Sequence, residues 1–177
     1  RGAIQMKKII TIGLILGLTG CSLFTSKVQA NTNITGTVES RCEVVTDISG
    51  YYGNPSAFLL TTLPASNGQV PQIRITNTLA NAYKALVSYP TSFSSSPSLS
   101  NSVTFTGAVA IASASSSDMS GYQAASTVTN NGAMRTYNLT HAGTIYVTVA
   151  SSATHGGNKA YPGGQYVAVA EASCIAQ

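Results

Sequence analysis

The chain has 177 residues, enough for one domain, and charged side chains make up only 8% of it. Serine, threonine, alanine, glycine and asparagine take their place, and tryptophan is absent. Disorder usually requires a high net charge, so this composition excludes an ordinary disordered chain and favours short β-strands over helices.

Residues 1–30 have the pattern of an export signal. Two lysines follow Met6 and precede the apolar run IITIGLILGL, which has the length of a secretory core and is short for a membrane span. Residues 1–5 are interpreted as translated upstream sequence. Cleavage after Ala30 satisfies the small-x-small rule of signal peptidase and predicts a mature chain that begins at Asn31.

A second cleavage site competes with the first. The stretch LTGC, which ends at Cys21, has the form of a lipobox, and cleavage there would leave Cys21 as a lipidated first residue. A third interpretation makes the apolar run a buried helix. We favour cleavage after Ala30, which predicts that residues 1–30 are removed.

Removal of the leader changes the charge balance. Five basic and five acidic residues remain from Asn31 onward, so the mature protein is formally neutral although the whole chain carries a net charge of +4. A basic patch that could bind nucleic acid does not survive, so the sequence predicts no nucleic-acid partner.

The mature chain predicts eight or nine short strands separated by turn signals, the pattern of an all-β sandwich. Alternation extends from Ile34 to Ile48, and the GYYGNP stretch then predicts a loop. Further strands are predicted at 58–63, 69–78, 81–90, 102–114, 134–142, 144–152 and 166–174. A short helical piece is predicted within 115–126, and 134–142 with 144–152 is the best hairpin candidate.

Two cysteines remain in the mature chain, Cys42 near its start and Cys174 near its end. An exported chain with an even pair of cysteines predicts one disulfide. Both residues have inward parity in their strands, so the bridge is expected to tie the first strand to the last. The alternative is a pair of free buried thiols.

Motifs for catalysis and metal binding are weak in this sequence. The two histidines, His141 and His155, come with no G-x-S-x-G elbow, no H-E-x-x-H and no Cys-x-x-Cys. We therefore predict no enzyme, no metal and no cofactor. The adjacent Tyr51 and Tyr52 could stack on a sugar ring, and they form the candidate ligand-binding loop.

Both ends of the mature chain carry a resemblance to a known family. The stretch NITGTVESRC contains a G-x-V pattern and ends at a cysteine. In the closing PGGQYVAVA stretch, a turn is followed by side chains that alternate between two faces of a strand. With the low charge and the leader, these ends resemble bacterial fimbrial (pilus) subunits of the chaperone–usher type. The chain differs from many of them in having no penultimate tyrosine and a cysteine pair on its first and last strands.

The resemblance implies an immunoglobulin-like β-sandwich over residues 42–177 that lacks one strand, with residues 31–41 as a donor strand. Ile34, Gly36 and Val38 would insert into the next copy, completing its sheet by β-augmentation. Copies of the chain would form a homopolymer, a cell-surface fimbria outside the cell that supports adhesion or biofilm. A periplasmic chaperone and an outer-membrane usher would be the assembly partners.

Two other functions stay open at this stage. One is a monomeric surface lipoprotein or adhesin sandwich that binds a host or surface glycan through Tyr51 and Tyr52, anchored through Cys21. The other is a secreted hydrolase, which would need a pocket centred on His141 or His155. The residue types favour the fibre subunit, then the adhesin, then the hydrolase.

Overall fold

The computed structural model describes residues 35–37, 39–115 and 128–177. Strands make up most of this part of the chain. In chain order they are β1 (Cys42–Ile48), β2 (Gly53–Ser56), β3 (Leu59–Thr61), β4 (Gln72–Asn77), β5 (Tyr83–Ser88), β6 (Val103–Ala114), β7 (Val128–Asn131), β8 (Met134–Asn138), β9 (Gly143–His155) and β10 (Glu171–Ala176). Short 3₁₀ turns occupy Pro64–Ser66 and Gly156–Asn158. No helix within the described ranges is long and apolar enough to span a membrane.

The strands form two antiparallel sheets. The first sheet has the order β1-β4-β9-β3-β2, and β6 pairs with the other edge of β9. The thirteen-residue β9 organises this sheet, because β4 pairs with its first half and β3 with its end. The second sheet has the order β10-β5-β8-β7. The prediction of an all-β protein with two packed sheets is confirmed.

The core lies between the two sheets and follows from strict alternation along their central strands. Every second residue of β9 from Ile145 onward is buried, and so are Ile73 and Ile75 of β4. The facing sheet contributes Ala85, Val87 and Tyr137. Side chains of successive strand residues point to opposite faces, so this alternation directs one face of each sheet into the core.

The predicted hairpin of 134–142 with 144–152 is wrong, because β8 and β9 belong to different sheets. The chain crosses between the sheets after β8, where Leu139 is buried and Asn77 Nδ2 donates a hydrogen bond to the His141 carbonyl at 3.2 Å. The hairpin that forms instead joins β7 to β8. Its turn contains Gly132 at a φ of 58°, a left-handed conformation that glycine adopts readily.

Three other predicted boundaries also change. The first strand starts at Cys42, and the described residues before it lie outside any strand. The predicted loop around Tyr51 contains the short strand β2, paired with β3. The ladder of the last strand starts at Glu171, although the alternation of more and less buried side chains begins at Tyr166 as expected. The helical piece expected within 115–126 lies, apart from its first residue, outside the described residues.

Candidate functional site: an open groove at one edge of the sandwich

A disulfide joins the two sheets along one side of the sandwich. It links Cys42 of β1 to Cys174 of β10, with 6.2 Å between the two Cα atoms. Among the described strands, β1 pairs only with β4 and β10 pairs only with β5, so both are edge strands. The pairing of cysteines expected from the sequence is therefore present, and it connects the edges of two different sheets.

An open groove runs along the same side of the sandwich. One wall is formed by the end of β1 and the loop after it, from Thr46 to Tyr52, and the other by residues 164–170, which lead into β10. Its volume is about 680 Å³. The floor comes from the first sheet, from Leu60, Thr62, Ile73, Val149 and Ser151. We call this feature the edge groove.

The edge groove is open because the side chains on its walls are small or displaced from the core. Ala168, Ala170 and Ala172 point inward from the last part of the chain, and a methyl group fills little of the space that a larger residue would occupy. On the opposite wall Thr46, which has the inward parity of Cys42, is exposed, and a β-bulge between Thr46 and Ile48 turns Ile48 out of that register, with 38% of its surface exposed.

Main-chain groups on one wall of the edge groove are also without partners. Val167 is held by Ser95, since the N–H of Val167 donates to the Ser95 carbonyl at 2.8 Å and its own carbonyl accepts a bond from Ser94. The two residues that follow, Ala168 and Val169, make no main-chain hydrogen bond to any residue that the structure describes. Unpaired edges of this kind pair readily with another extended segment.

An aromatic cluster adjoins the edge groove through Tyr52 and Tyr166, which line it. Phe93 lies at its centre, with Tyr52, Phe105, Tyr161 and Tyr166 around it at ring-centroid distances between 4.8 and 6.3 Å. The sequence did not reveal this cluster, because its members are far apart in the chain and come from loops as well as strands. Their mutual edge-to-face contacts stabilise the loops that form the groove wall.

The two tyrosines of the candidate ligand-binding loop lie in different environments. Tyr52 is packed in the aromatic cluster, its hydroxyl lies 3.0 Å from Ser151 Oγ, and burial raises its pKa above the usual value. Tyr51 exchanges two main-chain hydrogen bonds with Gln69 and leaves 57% of its surface exposed at the mouth of the groove. Only Tyr51 therefore presents a ring to an external ligand.

The segment before β1 is anchored at its base. Arg41 donates its main-chain N–H to Thr78 Oγ1 at 2.8 Å, and the same hydroxyl group donates to the Glu39 carbonyl at 2.8 Å. Ser40 Oγ donates to the Tyr83 hydroxyl at 3.1 Å. Upstream, Gly36 is exposed, and a Cβ placed on it would meet nothing within 4 Å.

The other predicted donor residues, Ile34 and Val38, lie outside the described residues, and so does Cys21. Neither of the two histidines lines the edge groove. His155 is buried and stacks on the Tyr161 ring at 5.1 Å, and His141 Nδ1 lies 2.9 Å from Thr140 Oγ1. Within the described ranges, no three acidic, histidine or cysteine side chains come together as a metal site.

No known protein family, no curated protein and no solved structure matches this chain. Its most informative features are the edge groove, the unpaired main chain on one groove wall and the exposed segment ahead of β1.

Proposed function

We propose that the protein is a structural subunit of an extracellular bacterial fibre. Each copy gives its N-terminal segment, residues 31–41, to the next copy, where the residues ahead of the anchor at 39–41 enter the edge groove. The observation that carries this proposal is the combination of an open apolar groove with unpaired main-chain groups at Ala168 and Val169. An added strand completes such a sheet, because its main chain bonds to the edge while alternate side chains enter the groove.

The chemistry of residues 31–41 supports this occupant. Ile34, Gly36 and Val38 share one face of an extended segment, so two apolar side chains and a small gap between them would face the apolar floor. The segment NTNITGTV has no charged residue ahead of Glu39, so its insertion buries no ionised side chain.

The length of the free segment also supports the proposal. Residues 39–41 are tied to Thr78 and Tyr83, which leaves residues 31–38 ahead of the anchor. Eight extended residues span about 26 Å at ~3.3 Å each. The groove wall at residues 164–170 needs about 23 Å on the same basis, so one segment covers one groove.

The rest of the biological setting follows the same proposal. The chain is exported through the periplasm, its leader is removed after Ala30, and a homopolymer forms at the cell surface as a fimbria that supports adhesion or biofilm. A subunit with an empty groove has an exposed sheet edge, which aggregates unless it is covered. A periplasmic chaperone would cover it before an outer-membrane usher passes the subunit to the fibre.

The experiment that tests this function is a gel of protein sheared from producing cells. The sample is run in detergent with and without boiling, and probed with an antibody against the chain. Inserted strands are held without covalent bonds, so we expect a ladder or very large species that collapses to monomer on boiling. A single monomer band in both lanes would contradict the proposal.

A second candidate function is a monomeric surface lipoprotein or adhesin that binds a glycan. The observation that favours it is the exposed Tyr51 ring at the mouth of the edge groove. Stacking on a sugar would make binding depend on Tyr51 and leave it insensitive to changes at Ile34. Glycan-array binding by the wild type, abolished in Tyr51→Ala, is the outcome that would support this function over the fibre subunit.

A further inference from the structure

The closing strand β10 forms a six-residue ladder with β5 but contributes no large buried apolar side chain. Among the described strands it pairs only with β5, and the inward side chains that precede Cys174 are alanines at positions 168, 170 and 172. On its outer face Val169 leaves 55% of its surface exposed and Ile175 leaves 46%. Little apolar surface is therefore buried to offset the conformational entropy lost when this part of the chain is ordered.

The disulfide is the strongest attachment that β10 has. Cys174 lies in the middle of β10 and is bonded to Cys42, a residue 132 positions away that belongs to the opposite sheet. Cys42 is itself secured, because β1 pairs with β4, a neighbour of the central strand β9. The bond therefore ties one edge strand, β10, to another, β1, whose neighbour β4 pairs with the central strand β9.

We infer that the Cys42–Cys174 disulfide is a redox-controlled latch for one wall of the edge groove. In the oxidised protein β10 and residues 164–170 stay in place and the groove exists. When a dithiol reduces the disulfide, the sulfur–sulfur bond breaks, each cysteine sulfur takes up one electron and one proton, and the dithiol becomes a cyclic disulfide. Without the cross-link, β10 separates from β5 while the first sheet stays folded.

This latch would make strand capture depend on the cellular compartment in which the chain lies. Disulfides form after export, in oxidising surroundings, and not in the reducing cytosol. A chain that has not been exported would therefore lack one groove wall and could not capture the segment of another copy. This part of the inference rests on the proposed function, whereas the release of β10 by reduction does not.

Hydrogen exchange followed by mass spectrometry tests the latch on the full chain. Exchange is measured with and without dithiothreitol, at a temperature at which the reduced protein keeps its β-sheet circular dichroism. We expect peptides covering residues 168–177 to exchange at least ~100-fold faster after reduction, since the cross-link no longer opposes local opening. Peptides from β4 and β9 should exchange more slowly than residues 168–177 in the reduced protein, because they open only when the whole fold unfolds.

Two results would overturn the inference. One is unchanged protection of residues 168–177 after complete reduction, checked by thiol counting. The other is equal exchange rates for residues 168–177 and for β4 and β9 in the reduced protein, which would mean that β10 opens only together with the whole fold. Cys42→Ala/Cys174→Ala is the control for side effects of the reductant, because its exchange should be fast at 168–177 with and without dithiothreitol.

A second variant separates weak packing from other causes. Ala170 lines the edge groove, so Ala170→Val has room to add apolar contacts between β10 and the floor. In the Cys42→Ala/Cys174→Ala background it should slow exchange at residues 168–177 by roughly tenfold, because β10 then buries more surface. Ser173→Thr, which enlarges an outward side chain that does not line the edge groove, should leave exchange there unchanged. Equal effects of the two changes would contradict the packing argument.

The capture step has its own measurement. A fluorescent peptide of residues 31–41 is titrated with the full-chain variant Ile34→Asp/Val38→Asp, whose own segment cannot insert. Binding to the oxidised form and its loss on reduction support the latch in its proposed role. Fast exchange at 168–177 after reduction, with no peptide binding in either state, supports the latch and contradicts the proposed function. Equal binding by both redox states would overturn control of capture by the disulfide.

Discussion

Thr78 accepts a hydrogen bond from the main-chain N–H of Arg41 at 2.8 Å, and its own N–H donates to the Arg41 carbonyl at 3.0 Å. This reciprocal contact fixes the point at which the chain leaves the sandwich. The described residues ahead of Glu39, at positions 35–37, are exposed and lie outside any strand. The proposed fibre depends on the segment ahead of this contact and on the edge groove.

The first prediction concerns the inserting face of the segment. Ile34→Asp and Val38→Asp should each abolish polymers while the monomer is still exported, because insertion would bury an unpaired carboxylate in an apolar groove. Thr35→Asp and Thr37→Asp are matched controls on the opposite face and should leave polymers intact. The readout is the unboiled gel of sheared protein. Wild-type ladders from Val38→Asp would remove the strand-insertion mechanism.

The second prediction concerns the groove. Ala168→Leu should fill the space that an inserted strand needs and prevent polymerisation. Its free energy of unfolding as a monomer should fall by no more than about 1 kcal/mol, because the added atoms enter an open groove and not a packed core. Ala108→Leu, at an exposed position of β6 that does not line the edge groove, is the matched control. Electron microscopy of cells that express each variant gives the result, and fibres from Ala168→Leu would contradict this role for the groove.

The third prediction concerns the disulfide in the folded monomer. Cys42→Ser/Cys174→Ser should lower the free energy of unfolding by roughly 4–5 kcal/mol at most, since the bond closes a loop of more than a hundred residues in the unfolded chain. Urea unfolding of the monomer measures the change. An unchanged midpoint would mean that the cross-link does not stabilise the fold.

The fourth prediction concerns alkaline stability. Burial, with the neighbouring Tyr166 and Tyr52 rings, raises the pKa of Tyr161 to about 12, and the hydroxyl group is enclosed without a hydrogen-bond partner in the described structure. The unfolded chain loses this proton near pH 10, before the folded protein does. Stability that is complete below pH 10 should therefore decline as the pH rises from about 10 to about 12.

Tyr161→Phe tests this assignment. The variant has no phenol to ionise at that position, so its free energy of unfolding should decline less between pH 9 and pH 11 than that of the wild type. The exposed Tyr51→Phe serves as the control and should follow the wild-type curve. Parallel curves for Tyr161→Phe and wild type would show that this hydroxyl does not determine the alkaline limit.

Much of the fold could be predicted because the alternation of inward and outward side chains is a local property of each strand. The inward parity of Ile73, Ile75 and Cys174 is read from their own strands, and the exported cysteine pair leaves one pairing. The assignment of strands to sheets is not local. Hairpin spacing is present between residues 134–142 and 144–152. The chain nevertheless crosses from one sheet to the other there, with Leu139 buried at the crossing.

The edge groove could be predicted only in part. The alanines at 168, 170 and 172 indicate a face with room beside it, and they line or adjoin the groove. The floor cannot be found this way, since Val149 has the sequence pattern of any core residue. The aromatic cluster around Phe93 escapes prediction because it depends on how loops meet in space.

Cross-linking between copies is the most direct test of the central claim that a neighbouring chain fills the edge groove. One tagged copy carries Gly36→Cys and a second, differently tagged copy carries Ala168→Cys, and both are expressed in the same cells. The account predicts a covalent dimer that contains both tags on a non-reducing gel, and a much weaker band when Thr37→Cys replaces Gly36→Cys. Fibres without that dimer, or a cross-link formed within one chain that carries both cysteines, would contradict it.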